Sequence, residues 1–260
     1  MPAPSDSLRV GCVKYLNARP LIHGWLEKVI YDHPSVLCRQ LARGRLDIAL
    51  VSSFEFLRNP IYQIVDAISI SSDGPVYSVI VAHRKELSAI DEIRLDPAAE
   101  TSVNLLRCLL SEKKLHPRFV SGSPSSPKQE SGQLLIGDQA IRFRRDHGDD
   151  VAIWDLGQQW KKLTDLPFVY ALWLVRPEVT NPQALAIADR LRALRDSNIR
   201  NLDKVVAQQK EIDAAFCKRY YREHLRFNFG DEEKKGLRTF QKLCEKHGLL
   251  PRREIVLRTV

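Results

Sequence analysis

The chain has 260 residues, 44% of them hydrophobic and 28% charged, an ordinary globular composition with length for one large domain or two small lobes. Its net charge of +8 comes from scattered basic residues with only short runs such as Arg142-Phe143-Arg144-Arg145; no RNP-type motif, zinc-finger spacing or basic heptad helix points to nucleic acid. No stretch approaches the roughly 20 apolar residues of a membrane span, and Met1 to Ser7 lacks the basic and apolar regions of a secretory signal, so a cytoplasmic location is expected.

Leu8 to Val13 reads as a short buried strand, and Asn17-Ala18-Arg19-Pro20 marks the turn after it. Proline suits the first turn of a helix, so a helix is predicted from Pro20 to Lys28. Another opens at Pro34-Ser35 and ends at Gly44. Leu46 to Val51 is a nearly continuous apolar run, the pattern of a parallel strand covered on both faces. Further strands are predicted at Ile61 to Ile70 and Val76 to Ala82. Downstream come a strand at Glu92 to Leu95, a helix from Thr101 to Lys113, and strands at Arg118 to Val120, Leu134 to Ile136, Val151 to Asp155 and Phe168 to Val175. Gly122 to Gly132, with two prolines and four serines, is loop-like. After Pro177 three helical patterns follow, at Pro182 to Arg195, Leu202 to Phe216 and Glu232 to His247.

Alternating strands and helices imply a mainly parallel α/β architecture. The block 91–172 reads as a small lobe inserted into a first lobe of 1–90 and 173–260, with 76–83 and 168–175 as crossings. Strand C-termini and helix N-termini would converge in the cleft between them, where free N–H groups favour anions. Cys12, Cys38, Cys108, Cys217 and Cys244 are odd in number and lack CxxC spacing, which argues against a disulfide framework or a zinc site. Cys38 and Cys108 read as buried small hydrophobes, and Cys12 as a possible pocket wall.

Four local patterns follow one another. The first is Gly11-Cys12-Val13-Lys14-Tyr15-Leu16-Asn17-Ala18-Arg19-Pro20-Leu21. The second is Leu46-Asp47-Ile48-Ala49-Leu50-Val51-Ser52-Ser53-Phe54-Glu55. The third joins Asp73-Gly74-Pro75-Val76-Tyr77-Ser78 to Glu100-Thr101-Ser102-Val103-Asn104-Leu105-Leu106. The fourth joins Leu135-Ile136-Gly137-Asp138-Gln139-Ala140 to Asp155-Leu156-Gly157 and Leu166-Pro167-Phe168-Val169. Each is common by itself. The ordered set, spanning about residues 8 to 175, resembles the menaquinone-biosynthesis family that contains chorismate dehydratase. Tyr15-Leu16-Asn17 and the Asp73-Gly74-Pro75 turn resemble its dehydratase branch rather than the sister branch acting on a cyclic futalosine intermediate.

The resemblance implies a two-lobed, periplasmic-binding-protein-like (type II) α/β fold with a central cleft. It also implies loss of water from chorismate to give 3-[(1-carboxyvinyl)oxy]benzoate, with no cofactor and no metal. Small-molecule substrate is then the expected partner, with no nucleic acid and no membrane; oligomeric state stays open. Two carboxylates on the substrate need donors. Thr101 and Ser102, at a predicted helix start, suit a carboxylate or simply cap the helix. Ser78 resembles a family pocket residue or bonds its own strand. Ser52 and Ser53 bind substrate or cap a short helix at Phe54, whose start Glu55 supports as a local anion. Asn17 is the leading catalytic candidate: its amide orients a carboxylate or the leaving hydroxyl, or it is a turn asparagine. An amide is a poor base, so the substrate's enolpyruvyl carboxylate, held by Asn17, is a candidate proton acceptor. Asp138 is a candidate general acid or a helix cap. Arg19 is a candidate for attracting the dianion. Asp96-Pro97-Ala98-Ala99-Glu100 is more acidic than a carboxylate-binding loop prefers. A solute-binding protein or a ligand-sensing domain of the same fold class are the rival expectations.

Overall fold

The computed structural model of the chain describes residues 8–95, 99–122, 131–147, 150–207, 209 and 211–260. Its strands fall into two five-stranded mixed sheets. The first contains β1 (Val10–Cys12), β2 (Val29–Tyr31), β3 (Ile48–Ser52), β4 (Gln63–Ser72) and a late strand, Phe168–Val175. The second contains β5 (Val79–His83), β6 (Glu92–Leu95), β7 (Arg118–Ser121), β8 (Ser131–Ile136) and β9 (Ala152–Asp155). The late strand is β10, and the orders are β2-β1-β3-β10-β4 and β7-β6-β8-β5-β9. Three neighbours in each sheet are parallel, and one strand in each, β10 or β5, runs antiparallel to both its partners.

This pairing shifts the boundaries expected for the lobes. β5 belongs to the second sheet, because it hydrogen-bonds with β8 and β9, and β10 belongs to the first, between β3 and β4. The chain therefore leaves the first sheet after Ser72 and re-enters it at Phe168. Both strands are almost wholly buried runs, and each forms the inner part of a sheet.

Short helices alternate with the strands: α1 (Arg19–Ile22), α2 (Pro34–Ala42), α3 (Ser53–Arg58), α4 (Glu100–Glu112), α5 (Gly137–His147) and α6 (Leu156–Thr164). The helix predicted from Pro20 to Lys28 stops after one turn. Gly24 takes φ +84, and Asn198 donates from Nδ2 to the carbonyls of Pro20 (3.1 Å) and His23 (2.8 Å), closing the helix end. The strand predicted from Val76 starts only at Val79, because Tyr77 sits at φ 67. Most of the loop expected at Gly122 to Gly132, and Asp96 to Ala98, lie outside the described residues.

The tail forms α7 (Asn181–Arg200), α8 (Leu202–Val206), α9 (Ala214–Arg219), a π-turn at Tyr220–His224 and α10 (Asp231–Lys246). The expected helix Leu202 to Phe216 is thus two. Tail segments also cover the outer edge of β4: Thr259 bridges Ile64 and Arg226 bridges Ser71, which satisfies backbone groups an open edge would leave bare. α10 lays Leu237, Phe240 and Cys244 into the core beside Phe168, and one apolar cluster runs beneath both sheets. Among the described residues no helix is long and apolar enough to cross a membrane.

Candidate active site

A pocket opens where the ends of β1, β3, β8 and β10 face the start of α4. Its walls are apolar: Val13, Leu50, Ile70, Val79, Ile136 and Leu225 line it, with the rings of Tyr15 and Tyr170. Set into these walls are Asn17, Ser52, Ser78, Thr101 and Ser102. A mostly apolar concavity with a few polar groups is the ordinary form of a small-molecule site. Among the described residues that line it there is no lysine, arginine or histidine.

Asn17 stands in a 3-10 turn, Leu16–Ala18, that follows β1. Its Oδ1 is buried and has no hydrogen-bond partner. Leaving a buried amide oxygen unpaired costs about 1–3 kcal/mol, and in a residue that lines the pocket such an unpaired group points to a role beyond the turn itself. The turn around it is held on both sides. Leu16 N–H donates to Asp138 Oδ1 at 2.8 Å, and the Tyr221 hydroxyl donates to Leu16 O at 2.9 Å.

Thr101 ties helix α4 to the first sheet. Its hydroxyl donates to Tyr170 O at 3.1 Å and accepts from Phe54 N–H at 3.3 Å. A hydroxyl has one proton, so the contact with Ser52 Oγ at 2.5 Å must be donated by Ser52. Ser53 Oγ donates to Val169 O at 2.7 Å and is fully buried. α4 has no side-chain cap: Ala99 occupies the cap position, and Thr101 and Ser102 lie in the first turn. The first N–H groups of that 13-residue helix have no intrahelical acceptor, and the helix dipole there favours an anion. Ser102 is buried, and among the described residues its hydroxyl has no partner. The Glu100 carboxylate beside it is neutralised by Arg58, at 2.9 Å, which also pairs with buried Glu55.

Ser78 is presented by an unusual backbone. Its N–H donates to Val76 O at 2.8 Å across Tyr77 at φ 67, a γ-turn that a side chain strains. Buried Asp155 holds this turn, accepting from Val76 N–H at 3.0 Å and Tyr77 N–H at 2.8 Å while it caps α6 through Gln158 N–H at 3.1 Å. Arg144 lies 3.9 Å over the Tyr77 ring and packs it down. Ser78 Oγ then meets the hydroxyl of Tyr220 from the tail at 2.6 Å. Burial pushes the Tyr220 phenol above its ordinary range, so both hydroxyls keep their protons and either can donate in this contact.

A model of the family described as menaquinone biosynthesis matches residues 8–246. The chain belongs to that family. It is 30% identical over 253 residues to the chorismate dehydratase of Thermus thermophilus, covering 89% of this chain and 93% of that protein. Among solved structures, a protein from Archaeoglobus fulgidus superposes with a TM-score of 0.71 at 19% identity, covering 94% of this chain and 98% of that one. The periplasmic aliphatic sulphonate binding protein of Escherichia coli does so with a TM-score of 0.58 at 16% identity, covering 98% and 91%. At those identities the likeness concerns the fold alone, which is the periplasmic-binding-protein-like α/β fold expected from the sequence.

Of the residues singled out in the sequence, the pocket brings together Asn17, Ser52, Ser78, Thr101 and Ser102. Ser53 and Asp138 do not line it: Ser53 braces β10, and Asp138 grips the Asn17 turn from α5. Arg19 stands outside as well, donating to Gln209 Oε1 at 3.2 Å. Cys12 is buried behind the wall, its thiol pushed up to about 12 by desolvation, which removes it as a nucleophile. Tyr170, Tyr220 and Leu225 escaped the sequence analysis. Two belong to the tail, whose position no local pattern gives, and Tyr170 sits in an apolar run that reads as core. Replacing Tyr220 by Phe removes the hydroxyl that holds Ser78 Oγ. It is expected to raise the KM for substrate about fivefold, the worth of one hydrogen bond, with little change in kcat; an unchanged KM would show that Ser78 binds without it.

Proposed function

We infer that the protein is a chorismate dehydratase, converting chorismate to 3-[(1-carboxyvinyl)oxy]benzoate on the futalosine route to menaquinone. The observation that carries this is the identity of 30%, sustained over 253 residues, to the enzyme of that name from Thermus thermophilus. The site supplies chemistry to match. The apolar walls take the ring, while the α4 N-terminus with Ser102, and the Ser78 hydroxyl, offer neutral donors for two carboxylates. The ring carbon bearing the enolpyruvyl ether loses its proton, and the electron pair spreads through the ring double bond to the ring carboxylate. The neighbouring carbon–oxygen bond then breaks, and hydroxide leaves with the proton as water. Aromatisation drives the reaction.

Among the described residues that line the pocket, none is suited to take the proton. The one carboxylate among its described lining residues, Glu100, is ion-paired with Arg58, and burial raises the Tyr170 phenol far above its ordinary range. The substrate's enolpyruvyl carboxylate is therefore the acceptor in this reading, oriented by Asn17. The test is incubation of the purified, metal-stripped protein with chorismate, following aromatic absorbance and mass. A product lighter by one water is expected. Unchanged chorismate with tight binding of another anion would overturn the inference in favour of a binding protein, and turnover of the cyclic futalosine intermediate in favour of the sister enzyme.

A further inference from the structure

We propose that Asp138 is a positioning residue that sets the amide of Asn17 by gripping the backbone of the turn that carries it, from the opposite sheet. The proposal rests on the dehydratase reading of the pocket. Asp138 is the second residue of α5, which follows β8 of the second sheet, while Leu16 to Ala18 follow β1 of the first. Leu16 N–H reaches Asp138 Oδ1 across 122 positions of sequence at 2.8 Å. Gly137, next to Asp138, lies against the Tyr15 ring so closely that a Cβ there would be 3.3 Å from it. Leu16 itself is fully buried, and its carbonyl is held by Tyr221 at 2.9 Å. Both peptide groups flanking the Asn17 Cα are thereby fixed or adjacent to a fixed one. The Asn17 side chain, by contrast, has no partner for its Oδ1. With no side-chain bond to hold it, the place of Asn17 in the pocket wall is set through the backbone, and Asp138 is the part of that support contributed by the second sheet.

The charge on Asp138 matters to this grip, because a carboxylate accepts roughly twice as strongly as a neutral oxygen. Desolvation raises its pKa above the ordinary carboxylate range, opposed by the Leu16 N–H bond and by Arg142 and Arg19, and assisted by Glu211. Arg142, on the same helix, is engaged with Glu211 at 3.0 Å. The other titratable groups close enough to couple are Cys217, Tyr220 and Tyr221 of the tail, all protonated at neutral pH because burial raises them. With the carboxyl pKa raised, the ionised grip is complete above that pKa and weakens as pH falls through it, so kcat should carry an acid limb that belongs to Asp138.

The experiment compares Asp138→Ala and Asp138→Asn with wild type, measuring kcat and KM for chorismate across pH. Asp138→Ala should lower kcat on the order of tenfold to a hundredfold while KM changes by less than about threefold. Asp138→Asn, whose amide oxygen still accepts from Leu16 N–H, should restore most of kcat at neutral pH and abolish the acid limb. Wild-type kcat in Asp138→Ala would overturn the proposal. So would an Asp138→Asn protein that is folded and as inactive as Asp138→Ala, since that pattern belongs to a proton-transferring carboxyl. Should Asp138→Ala fail to fold, the pH profile of Asp138→Asn decides alone. If wild type leaves chorismate unchanged, the dehydratase reading fails by itself. The grip is then read from hydrogen exchange of the Leu16 amide, which accelerates on the order of tenfold in Asp138→Ala if the carboxylate holds it, and keeps its wild-type rate if it does not.

Discussion

Asn17→Ala should reduce kcat for chorismate by about 10²–10³, the loss found when a single preorganised polar group aimed at developing charge is removed, while leaving the fold as stable as wild type. The two halves of that expectation have the same origin. Asn17 Oδ1 is buried without a partner, so in the free protein its amide contributes no hydrogen bond that the substitution could cost. Most substitutions in so enclosed a turn destabilise; here the unpaired group is itself a burden, and thermal melting should shift upward or not at all. Such a trade of stability for activity is expected where a polar group waits for its substrate. Asn17→Asp adds a sharper comparison. The described lining of the pocket contains no lysine or arginine, so a new carboxylate would meet a dianionic substrate with nothing to screen it. Its KM should rise tenfold or more, by an order-of-magnitude argument from like charges at close range, on top of the loss in kcat. Full turnover by Asn17→Ala would remove Asn17 from the chemistry and return it to the role of a turn asparagine.

Much of this site was legible in the sequence because its parts sit at the ends of strands, where local pattern is strong. The run Leu46 to Val51 announced a buried strand, and the serines just after it had to emerge at its C-terminal end. The alternation of elements likewise placed Thr101 and Ser102 at the start of a helix. What local pattern could not give was pairing between distant segments. β5 and β10 were recognised as strands at the crossings between lobes, yet the sheet to which each belongs was not legible, because an apolar strand buried on both faces carries no mark of its neighbours. Asp138 was read as acid or cap for the same reason: the backbone N–H it accepts lies 122 residues away. The tail is the extreme case. Tyr220 and Tyr221 read as ordinary aromatic residues of a helical segment, and only the folded chain shows them behind Ser78 and Leu16. The π-turn that carries them, Tyr220–His224, is an irregularity of the sort that recurs at functional sites, and propensity does not foretell it.

The γ-turn at Tyr77 belongs to the same class of hidden features. A non-glycine residue at φ 67 is costly, on the order of 1–3 kcal/mol, and persists only where its surroundings over-determine it. Asp155, Arg144, Phe216 and His224 do so here, the last two packing their rings 5.1 and 5.2 Å from that of Tyr77. Phe216 and His224 come from the tail. The tail therefore acts on the pocket through two routes, directly by Leu225 in its wall and indirectly by the hydroxyls of Tyr220 and Tyr221 behind Ser78 and Leu16 and by clamping the crossing that delivers Ser78. A family resemblance that runs only to about residue 175 in local motif thus understates how much of the chain the site needs.

The largest loss of stability should come from Gly236→Val. Gly236 lies in the middle of α10, where glycine costs a helix about 1 kcal/mol relative to alanine, so its presence needs a reason in packing. An ideal Cβ at this position would stand 2.1 Å from Pro167 O and 3.2 Å from Pro167 C. Both are backbone atoms of the segment leading into β10, and Pro167 O already accepts from the Trp160 indole at 3.2 Å; no side chain is available to swing aside. Relief requires lifting α10 by about an ångström, and that opens its whole buried face. Phe240 would leave Phe168 at 5.0 Å, Trp160 at 6.1 Å and Phe54 at 6.3 Å, and Lys246 would leave Glu112 at the far end of α4. Overpacking of this kind costs about 1–3 kcal/mol for one added carbon and more for a branched side chain. Set against the propensity gain, Gly236→Ala should still be destabilising and Gly236→Val should lose about 3 kcal/mol or more, a fall in Tm of roughly 6–12 °C. Turnover per folded molecule should remain near wild type, because no described residue of α10 lines the pocket. A Gly236→Ala protein melting above wild type would show that α10 does not sit against Pro167, and with it that the helix clamp on β10 is drawn too tight.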